Sequence, residues 1–454
     1  MGLEEIFVIG MFATFGALLF TGFPVAWVLG GTAVIWTVVG ITSVEQFGAD
    51  LWFDWGSSIG LLPERLWSLV ENITLVALPM FIFMGIMLDK SGVAEKLMNN
   101  MVKLFGAVRG GYAITVIVLG VLLAATTGII GASVVLLGML SIPVMLKNGY
   151  SKSLTVGTSC ATGTLGILIP PSIMLVLMAD RLARPEASVG DLFLGAFFPG
   201  LMLGAMYIAY VLMLGIFSPK SVPLPEDLPK ITPKVFWDVL VAVVPTAALI
   251  LAVLGSIFAG LATPTEASGV GAVGATLLAA ANRRLTWKVL KDSLAQTTRT
   301  TSFIFAIFLG ATAFAVVLRG LGGDRVIEDA LLGLPFPPEG ILLTILLVVF
   351  LLGFFLDWVE ITLIILPLVA PVIISLDFDL VWFTIMFAVC LQTSFLTPPV
   401  GFAIFYVKGV CPPEIDVVDI YKGVAPYILL QLTGLAIVFF FPEIVTWLPS
   451  VSFQ

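Results

Sequence analysis

The sequence contains no histidine, and its only cysteines are Cys160, Cys390 and Cys411. The lack of histidine excludes histidine-ligated zinc, Ser-His-Asp hydrolysis and histidine proton relays. The cysteines form no CxxC pair and fit no disulfide framework, so they are interpreted as small apolar packing residues. Charged residues make up only 11% of the chain, against roughly 25% in soluble proteins. No polar stretch is long enough to form a soluble domain.

The composition is strongly apolar, since 59% of the 454 residues are hydrophobic and the mean hydropathy is +1.14. This composition is typical of a polytopic membrane protein. The N-terminus, MGLEE, lacks a basic segment, which predicts a retained first span rather than a cleaved signal. Apolar runs predict ten spans, near residues 6–20, 25–42, 73–88, 154–178, 193–217, 238–258, 266–281, 301–318, 381–407 and 424–441.

Two further apolar stretches are interrupted in the middle by polar residues. From Gly110 to Leu146 there is no charged residue, and the segment TTGIIGAS lies at the centre. The arms on either side hold about 14–15 residues, or roughly 22 Å of helix, which is short of the roughly 30 Å hydrocarbon core. The pattern predicts a re-entrant helical hairpin at about 111–146. A second hairpin is predicted at about 340–375, with LDWVEIT at its tip.

A pair of prolines follows each predicted hairpin. ILIPPSIML contains Pro170 and Pro171, and FLTPPVGFA contains Pro398 and Pro399, 228 positions later. Proline cannot donate a backbone hydrogen bond and breaks a helix. In lipid, a broken helix survives only where its freed backbone groups are buried or line a cavity. Matching breaks in two halves of a chain are typical of the substrate and ion site of a secondary transporter.

The charges predict which side of the membrane each connection faces. The positive-inside rule places in the cytoplasm five connections that hold 16 of the 21 Lys and Arg, at 89–110, 147–153, 218–238, 282–300 and 408–423. The other connections carry five Arg, no Lys and 17 of the 29 acidic residues. Basic residues flank the first hairpin and acidic residues flank the second, so the hairpins enter from opposite faces. The two halves are therefore predicted to be inverted copies.

Small polar residues collect at the predicted tips and breaks. Hydroxyls and unwound backbone carbonyls suit a hard cation such as sodium, while helix N-termini favour an anionic substrate. The first half contributes Thr126, Thr127, Gly128, Gly131, Ser133, Thr162, Gly163, Thr164 and Ser172. The second half contributes Asp357, Glu360, Thr362, Thr393, Ser394, Thr397 and Gly401. Alternatively, the serines, threonines and glycines only allow helices to pack closely.

Three acidic residues stand apart from this set of small residues. An ionisable group at membrane depth is costly, so Asp357 and Glu360 indicate a function. The alternative is that the second tip reaches water and both carboxylates are solvated. Glu266, in the turn LATPTEASGVGA, is interpreted as a helix cap, because a carboxylate in the first turn satisfies free backbone N–H groups.

Three segments together resemble the large membrane subunit of the tripartite ATP-independent periplasmic (TRAP) transporters: ALPMFIFMG at 77–85, GTLGILIPPSIML at 163–175 and GLATPTEASGVGA at 260–272. The resemblance covers essentially the whole chain. It implies an all-α polytopic protein of two inverted-topology repeats, each with a re-entrant hairpin and a discontinuous helix. It also implies an elevator-type core that slides against a scaffold.

The chain then divides into four parts. They are a first repeat at 1–192 with its broken helix at about 154–178, a connecting span and proline-rich cytoplasmic linker at 193–237, a second repeat at 238–410 with its broken helix at about 381–407, and a final transmembrane helix at 411–454. No fused small subunit is expected, because the repeats and the last span use all of the residues.

The resemblance also implies partners and site residues. Family members act in the bacterial inner membrane with a periplasmic solute-binding protein and a small four-helix membrane subunit. They are sodium-driven, and no other cofactor or transition metal is expected. The implied cation ligands are Thr126, Thr127, Gly128, Ser133, Thr162, Gly163, Thr164, Asp357, Glu360, Thr362, Thr393, Ser394 and Thr397. The substrate is expected between the tips, near Gly131, Ser172 and Gly401. TTGIIGAS departs from a more serine-rich family pattern, so the ligands at the first tip stay open.

The expected function is sodium-coupled, binding-protein-dependent import of an organic acid, such as a C4-dicarboxylate or a 2-oxo acid, without enzymatic activity. A stand-alone ion-coupled carrier or antiporter on the same scaffold is the first alternative, and a passive channel is another. An aspartyl hydrolase would need two facing aspartates within the membrane, and only Asp357 is clearly embedded. Coupling to protons also stays open, because Asp357 or Glu360 could carry one.

Overall fold

The computed structural model of the chain describes residues 2–47, 60–105, 108–224 and 233–452, with the backbone alone at 46–47, 124–127 and 185. All regular secondary structure in these residues is helical, which confirms the all-α prediction. Eight of the described helices are long and apolar enough to cross a membrane. The chain is therefore a multi-pass membrane protein.

The first half of the described chain forms ten helices. They are α1 (Leu3–Leu19), α2 (Val25–Phe47), α3 (Leu61–Val70), α4 (Ala77–Lys90), α5 (Val93–Phe105), α6 (Gly111–Thr127), α7 (Ile130–Lys147), α8 (Lys152–Thr164), α9 (Ile173–Leu182) and α10 (Val189–Phe217). Short 3-10 turns lie at Ile73–Val76, Leu165–Ile167, Pro185–Ala187 and Pro219–Ser221. The remainder of the predicted linker, residues 225–232, lies outside the described residues.

The second half of the described chain also forms ten helices. They are α11 (Pro233–Phe258), α12 (Pro264–Ala281), α13 (Trp287–Gly320), α14 (Gly323–Leu332), α15 (Pro338–Leu352), α16 (Trp358–Ser375), α17 (Leu380–Leu396), α18 (Phe402–Lys408), α19 (Val417–Phe440) and α20 (Glu443–Ser452).

From α5 onwards, the helices of the two halves recur at a nearly constant step. α16 begins and ends 228 positions after α7, and α19 begins 228 positions after α10. Between them, α5, α6, α8 and α9 have counterparts in α14, α15, α17 and α18, in the same order. The order of helices is thus the same in both halves, while their inverted relation stays a prediction.

Both proline pairs interrupt a helix, as predicted. Residues 165–172, which begin with a single 3-10 turn, separate α8 from α9, and residues 397–401 separate α17 from α18. Pro170–Pro171 and Pro398–Pro399 lie within these breaks, each with a cis peptide bond. The backbone at each break therefore has carbonyl and N–H groups without helical partners.

The arms of the first hairpin are longer than the sequence predicted. α6 has 17 residues and α7 has 18, against the expected 14–15 or so. At 1.5 Å per residue, α7 is roughly 27 Å long, which approaches the roughly 30 Å hydrocarbon core. The cause is that only Gly128 and Ile129 leave the helix, because Gly128 takes the left-handed conformation at φ 58°. The predicted arm lengths are therefore wrong, and the re-entrant path of this hairpin stays a prediction.

α13 unites two segments that the sequence treated separately. Residues 282–300 were predicted to be a cytoplasmic connection and 301–318 a span, but α13 is one helix of 34 residues. Neither proline nor glycine occurs near the junction at Thr300, so nothing interrupts the backbone hydrogen bonds there. At roughly 51 Å, α13 must extend well beyond the hydrocarbon core.

The predicted cap at Glu266 is confirmed. The Thr263 N–H donates to Glu266 Oε2 at 2.8 Å, and the Glu266 N–H donates to Thr263 Oγ1 at 3.3 Å. Pro264 occupies the first helical position, where its missing N–H is not needed. This reciprocal pair of bonds begins α12 and gives Glu266 a structural role.

The long helix that follows the broken helix in each half packs on the broken helix of the other half. α19 packs against α8, and α10 packs against α17. A Cβ atom on Gly157 would lie 2.1 Å from the carbonyl oxygen of Gly423, and one on Gly423 would lie 2.1 Å from that of Ser153. Only glycine allows two backbones to approach this closely. The two halves are therefore interlocked, which brings both helix breaks into one region.

Candidate functional site

The helix that follows each break packs against the hairpin of the other half. α9 packs against α16, and α18 packs against α7. At the first tip, a Cβ atom on Gly128 would lie 3.0 Å from the backbone nitrogen of Ile173, where α9 begins. A Cβ atom on Gly131 would lie 3.0 Å from Cζ of Tyr406 in α18. The first tip therefore contacts the helices that follow both breaks.

Tyr406 connects the first tip to the carboxylates of the second. Its phenol interacts electrostatically with Asp357 and Glu360. Asp357 caps the N-terminus of α16, where its Oδ1 accepts a hydrogen bond from the Trp358 N–H at 2.8 Å. Glu360 lies one turn further along and is only 2% exposed. The structure thus brings both acidic residues into the region where the two halves meet.

Two polar atoms at the second tip lack hydrogen-bond partners among the described residues. They are Glu360 Oε2 and Thr362 Oγ1, and both side chains are buried. The alternative in which water solvates both carboxylates therefore fails for Glu360. Leaving a buried polar atom unpaired costs about 1–3 kcal/mol, and more when the group is charged. Oxygen atoms held in this way are suited to a bound cation.

Most other predicted hydroxyls donate to backbone carbonyls. Such a hydroxyl keeps its lone pairs, so its oxygen can still bind a cation. The bonds are Ser133 to Ile129 at 3.0 Å, Ser172 to Ile167 at 2.6 Å, Thr393 to Val389 at 2.8 Å, Ser394 to Phe350 at 2.7 Å and Thr397 to Thr393 at 2.7 Å. These bonds fix the direction in which each oxygen points.

The predicted residues of α8 have different surroundings. Thr162 presents its methyl group to α6, and its buried Oγ1 has no hydrogen-bond partner among the described residues. Gly163 lets α8 approach α7, because a Cβ atom there would lie 2.5 Å from Cγ2 of Val134. Thr164 Oγ1 accepts a hydrogen bond from Nε2 of Gln431 at 3.2 Å, so Thr164 is tied to α19.

Two further groups of predicted residues complete the set. The side chains of Thr126 and Thr127 lie outside the described residues, although their backbone ends α6. A Cβ atom on Gly401 would lie 2.6 Å from the carbonyl oxygen of Phe395. Gly401 is therefore required by the tight turn at the second break, whatever else it does.

A buried polar cluster that was not among the predicted site residues joins the two broken helices. Gln431 Nε2 donates to the hydroxyl oxygen of Tyr207 at 2.9 Å as well as to Thr164. Gln392 of α17 lies beside Tyr207, and Tyr427 stacks edge-on against Tyr207 with ring centroids 5.1 Å apart. A signal was present, since Gln392 lies 228 positions after Thr164 and Gln431 is a lone amide in a predicted span.

Comparison with known proteins identifies the family of the chain. Residues 12–444 match the family described as "Tripartite ATP-independent periplasmic transporter, DctM component". The C4-dicarboxylate TRAP transporter large permease protein DctM of Vibrio cholerae is 30% identical, over 91% of this chain and 95% of the relative. The isethionate TRAP transporter permease protein DctMQ of Oleidesulfovibrio alaskensis is 28% identical, over 96% of this chain and 65% of the relative.

The fold also has a solved counterpart. The crystal structure of the Alcanivorax borkumensis YdaH transporter matches with a TM-score of 0.64 at 15% identity. The match covers 97% of this chain and 98% of that one. At this level of identity, the similarity concerns the fold alone.

Proposed function

Because the chain belongs to the DctM component family of the tripartite ATP-independent periplasmic transporters, we propose that it is the translocation subunit of a sodium-coupled importer of small organic anions. The family consists of transporter permease subunits rather than enzymes. The two relatives described above are named for a C4-dicarboxylate and for isethionate, a sulfonate. A compact anionic group is common to both solutes, which supports an organic anion as the substrate here.

The observation that carries the proposal is the acidic pair at the second tip, of which Glu360 is buried. Glu360 Oε2 and Thr362 Oγ1 lack partners among the described residues, and Asp357 lies three positions before Glu360. Two carboxylates and an anionic substrate repel one another in a low-dielectric region. Sodium bound at the tip cancels part of this charge, so substrate binds only after the cation. Electrostatic attraction thus couples the binding of the substrate to the binding of sodium.

The first tip provides the second cation site of the proposal. Ser133 and Thr162 supply hydroxyl oxygens, and the break at residues 165–172 supplies backbone carbonyls. The substrate occupies the space between the tips, near Gly131 and Ser172 of the first half and Gly401 of the second. The start of α9 would direct its free N–H groups at the anion.

Inverted repeats and an elevator movement complete the proposed mechanism. The contacts of α9 with α16 and of α18 with α7 tie both hairpins into one unit. A cleft of about 720 Å³ separates α1 from the second hairpin, and its lining is apolar, with Phe12, Val348 and Ile365 among its residues. An apolar boundary has no hydrogen bonds to break when one unit slides past another. Each positive charge that moves inward through a membrane potential of 100 mV supplies about 2.3 kcal/mol of free energy to drive the uptake.

The proposal includes two protein partners in the bacterial inner membrane. A periplasmic binding protein delivers the anion, and a small four-helix membrane subunit completes the scaffold. The family description names a tripartite system, which supports both partners. The division at residues 1–192, 193–237, 238–410 and 411–454 belongs to the same proposal.

The test is solute uptake into proteoliposomes that hold this chain with its small subunit. A panel of radiolabelled C4-dicarboxylates, 2-oxo acids and sulfonates is offered with an imposed sodium gradient, with and without the binding protein. Uptake that needs both sodium and the binding protein supports the proposal. Uptake without the binding protein would identify a stand-alone carrier, and uptake without sodium would refute the coupling.

A further inference from the structure

Four arginines line one cavity on the face that the charge pattern assigns to the periplasm. The cavity has a volume of about 480 Å³, and Arg65, Arg181, Arg184 and Arg319 contribute to its wall. These are four of the five arginines outside the predicted cytoplasmic connections. Asp180 is the one carboxylate on the described wall of this cavity. The wall therefore carries a net positive charge.

One of the four arginines is held rigidly. Arg181 donates to Asp180 Oδ2 through Nε at 2.9 Å and Nη2 at 2.6 Å. The guanidinium also lies over the ring of Phe308, 4.8 Å from its centroid. Asn72 donates to the other oxygen of Asp180. Asp180 therefore already neutralises Arg181. It has little capacity left to neutralise the other three arginines.

Two of the other arginines are open to a ligand. The side chains of Arg65 on α3 and Arg184 after α9 are exposed and form no ion pair with a described residue. A guanidinium presents a planar fork of donors that matches a carboxylate or sulfonate. Arg319 pairs with Asp324 at 3.1 Å, yet half of its side chain remains exposed.

The cavity leads toward the second hairpin tip. Its wall follows α16 from Ile374 inward to Leu363, a distance of roughly 16 Å along the helix. Leu363 lies three positions after Glu360, and residues three apart are neighbours on one helical face. The inner end of the cavity is thus about one turn from the proposed cation site.

We propose that this cavity, which we call the arginine vestibule (Arg65, Arg181, Arg184 and Arg319), is an entry site that holds the anionic group of an incoming organic acid before it reaches the hairpin tips. The inference rests on the proposed function for the identity of this anion as the transported solute. A positive cleft with low-dielectric walls raises the local concentration of anions and their rate of association. Arg65 and Arg184 bind the anionic group, and Arg181, which Asp180 and Phe308 hold in place, forms the adjoining wall.

The vestibule can be tested without transport, through the charge preference of a thiol placed in its wall. Ser68 on α3 lines the cavity and is exposed, so Ser68→Cys is made together with Cys411→Ser. The reaction rates of this thiol with an anionic and a cationic methanethiosulfonate reagent are compared in nanodiscs. Ser450→Cys, exposed on the same predicted face outside the cavity, is the positional control.

We expect the ratio of anionic to cationic reaction rate to be about 10-fold higher at position 68 than at position 450. The double change Arg65→Gln and Arg184→Gln should abolish this difference, and 10 mM succinate should slow the anionic reagent at position 68 alone. Arg325→Gln, an exposed arginine on the same face that pairs with Glu4, should leave the ratio unchanged. Equal ratios at both positions in the parent protein would overturn the proposal.

Uptake separates this inference from the proposed function. In proteoliposomes, the Arg65→Gln and Arg184→Gln chain should show a KM for succinate raised about 10-fold at low salt, with the maximal rate unchanged. If the parent takes up succinate with sodium and this KM does not change, the vestibule is refuted and the proposed function stands. If sodium has no effect on the parent while the thiol ratio is high, the proposed function fails and the anion site stands.

Discussion

At the scale of single residues, Glu360 carries the largest share of the functional argument. Its side chain is buried, and its Oε2 has no partner among the described residues. A bound ion is one of the explanations for an unsatisfied buried polar atom in a native protein. Sodium binding should therefore stabilise the folded protein through this group.

We expect Glu360→Gln to remove the stabilisation by sodium. A ligand at 100 times its dissociation constant stabilises a protein by about 2.7 kcal/mol, which thermal unfolding detects. The parent should unfold at a higher temperature in sodium than in choline, and Glu360→Gln should show at most a small difference. Glu339→Gln, an exposed acid in the first turn of α15, is the control. An undiminished sodium effect in Glu360→Gln would remove this residue from the site.

Asp357 can be tested against a matched neighbour. Asp357 and Asp379 both cap a helix. Each accepts a hydrogen bond from the backbone N–H of a tryptophan, Trp358 and Trp382 respectively. Loss of either cap costs about 1 kcal/mol. We therefore expect similar destabilisation of Asp357→Ala and Asp379→Ala. Only Asp357→Ala should lower sodium-dependent uptake, by about 10-fold or more. Normal sodium-dependent uptake by Asp357→Ala would refute its assignment.

The acidic residues of the site could be predicted from the sequence, its amides left only an indirect signal, and Tyr406 left none. Asp357 and Glu360 stand out because charges are rare at membrane depth. The roles of Tyr406 and Gln431 become visible only when packing brings them to the tips and breaks. Their roles depend on contacts between halves of the chain, such as that of Tyr406 with Gly131, and local pattern does not contain such contacts.

At the scale of helices, proline and glycine positions decided where prediction succeeded. Both proline pairs break a helix because the ring removes a hydrogen-bond donor. The lengths of the hairpin arms were harder to predict. A polar segment such as TTGIIGAS is typical of a loop, although most of it is helical here. A single left-handed glycine, Gly128, is enough to turn the chain.

The crossing of α8 and α19 should be sensitive to a single methyl group. A Cβ atom on Gly157 would lie 2.1 Å from the Gly423 carbonyl oxygen, so Gly157→Ala must push the two helices apart. We expect a loss of about 1–3 kcal/mol, measured as a lower unfolding temperature in detergent. Gly31→Ala in α2, where a Cβ atom would meet nothing within 4 Å, should be neutral or stabilising. Equal stability of the two variants would show that the crossing tolerates separation.

At the scale of the whole molecule, the proposed elevator requires one boundary that slides and others that stay fixed. Gly138 of α7 contacts the end of α18 and the residues just after it, since a Cβ atom there would lie 3.6 Å from Cγ2 of Val407 and 3.0 Å from Cγ2 of Val410. Phe20, after α1, instead contacts the second tip, with its ring centroid 5.9 Å from that of Phe355. The first pair lies within the proposed moving unit, and the second pair joins that unit to the scaffold.

Cross-linking should distinguish these two boundaries. We expect a bifunctional thiol reagent to abolish uptake when it joins Phe20→Cys to Phe355→Cys, because the hairpins can no longer slide. The same reagent on Gly138→Cys with Val410→Cys should leave at least about half of the uptake, because that pair moves together. Both pairs are made with Cys411→Ser, and cross-linked yield is measured by mass spectrometry. Full uptake by the cross-linked Phe20 and Phe355 pair would refute the elevator.

The interlocking of α8 with α19 also sets an order on biosynthesis. A ribosome adds roughly 5–20 residues per second, so Gly157 is in the membrane for more than ten seconds before Gly423 is made. During that time the glycine face of α8 has no permanent neighbour, and lipid or an insertion chaperone must cover it. If synthesis stops before α19, the glycine face of α8 never acquires its helical partner. A membrane protease can then recognise this face as a feature of an unfinished protein.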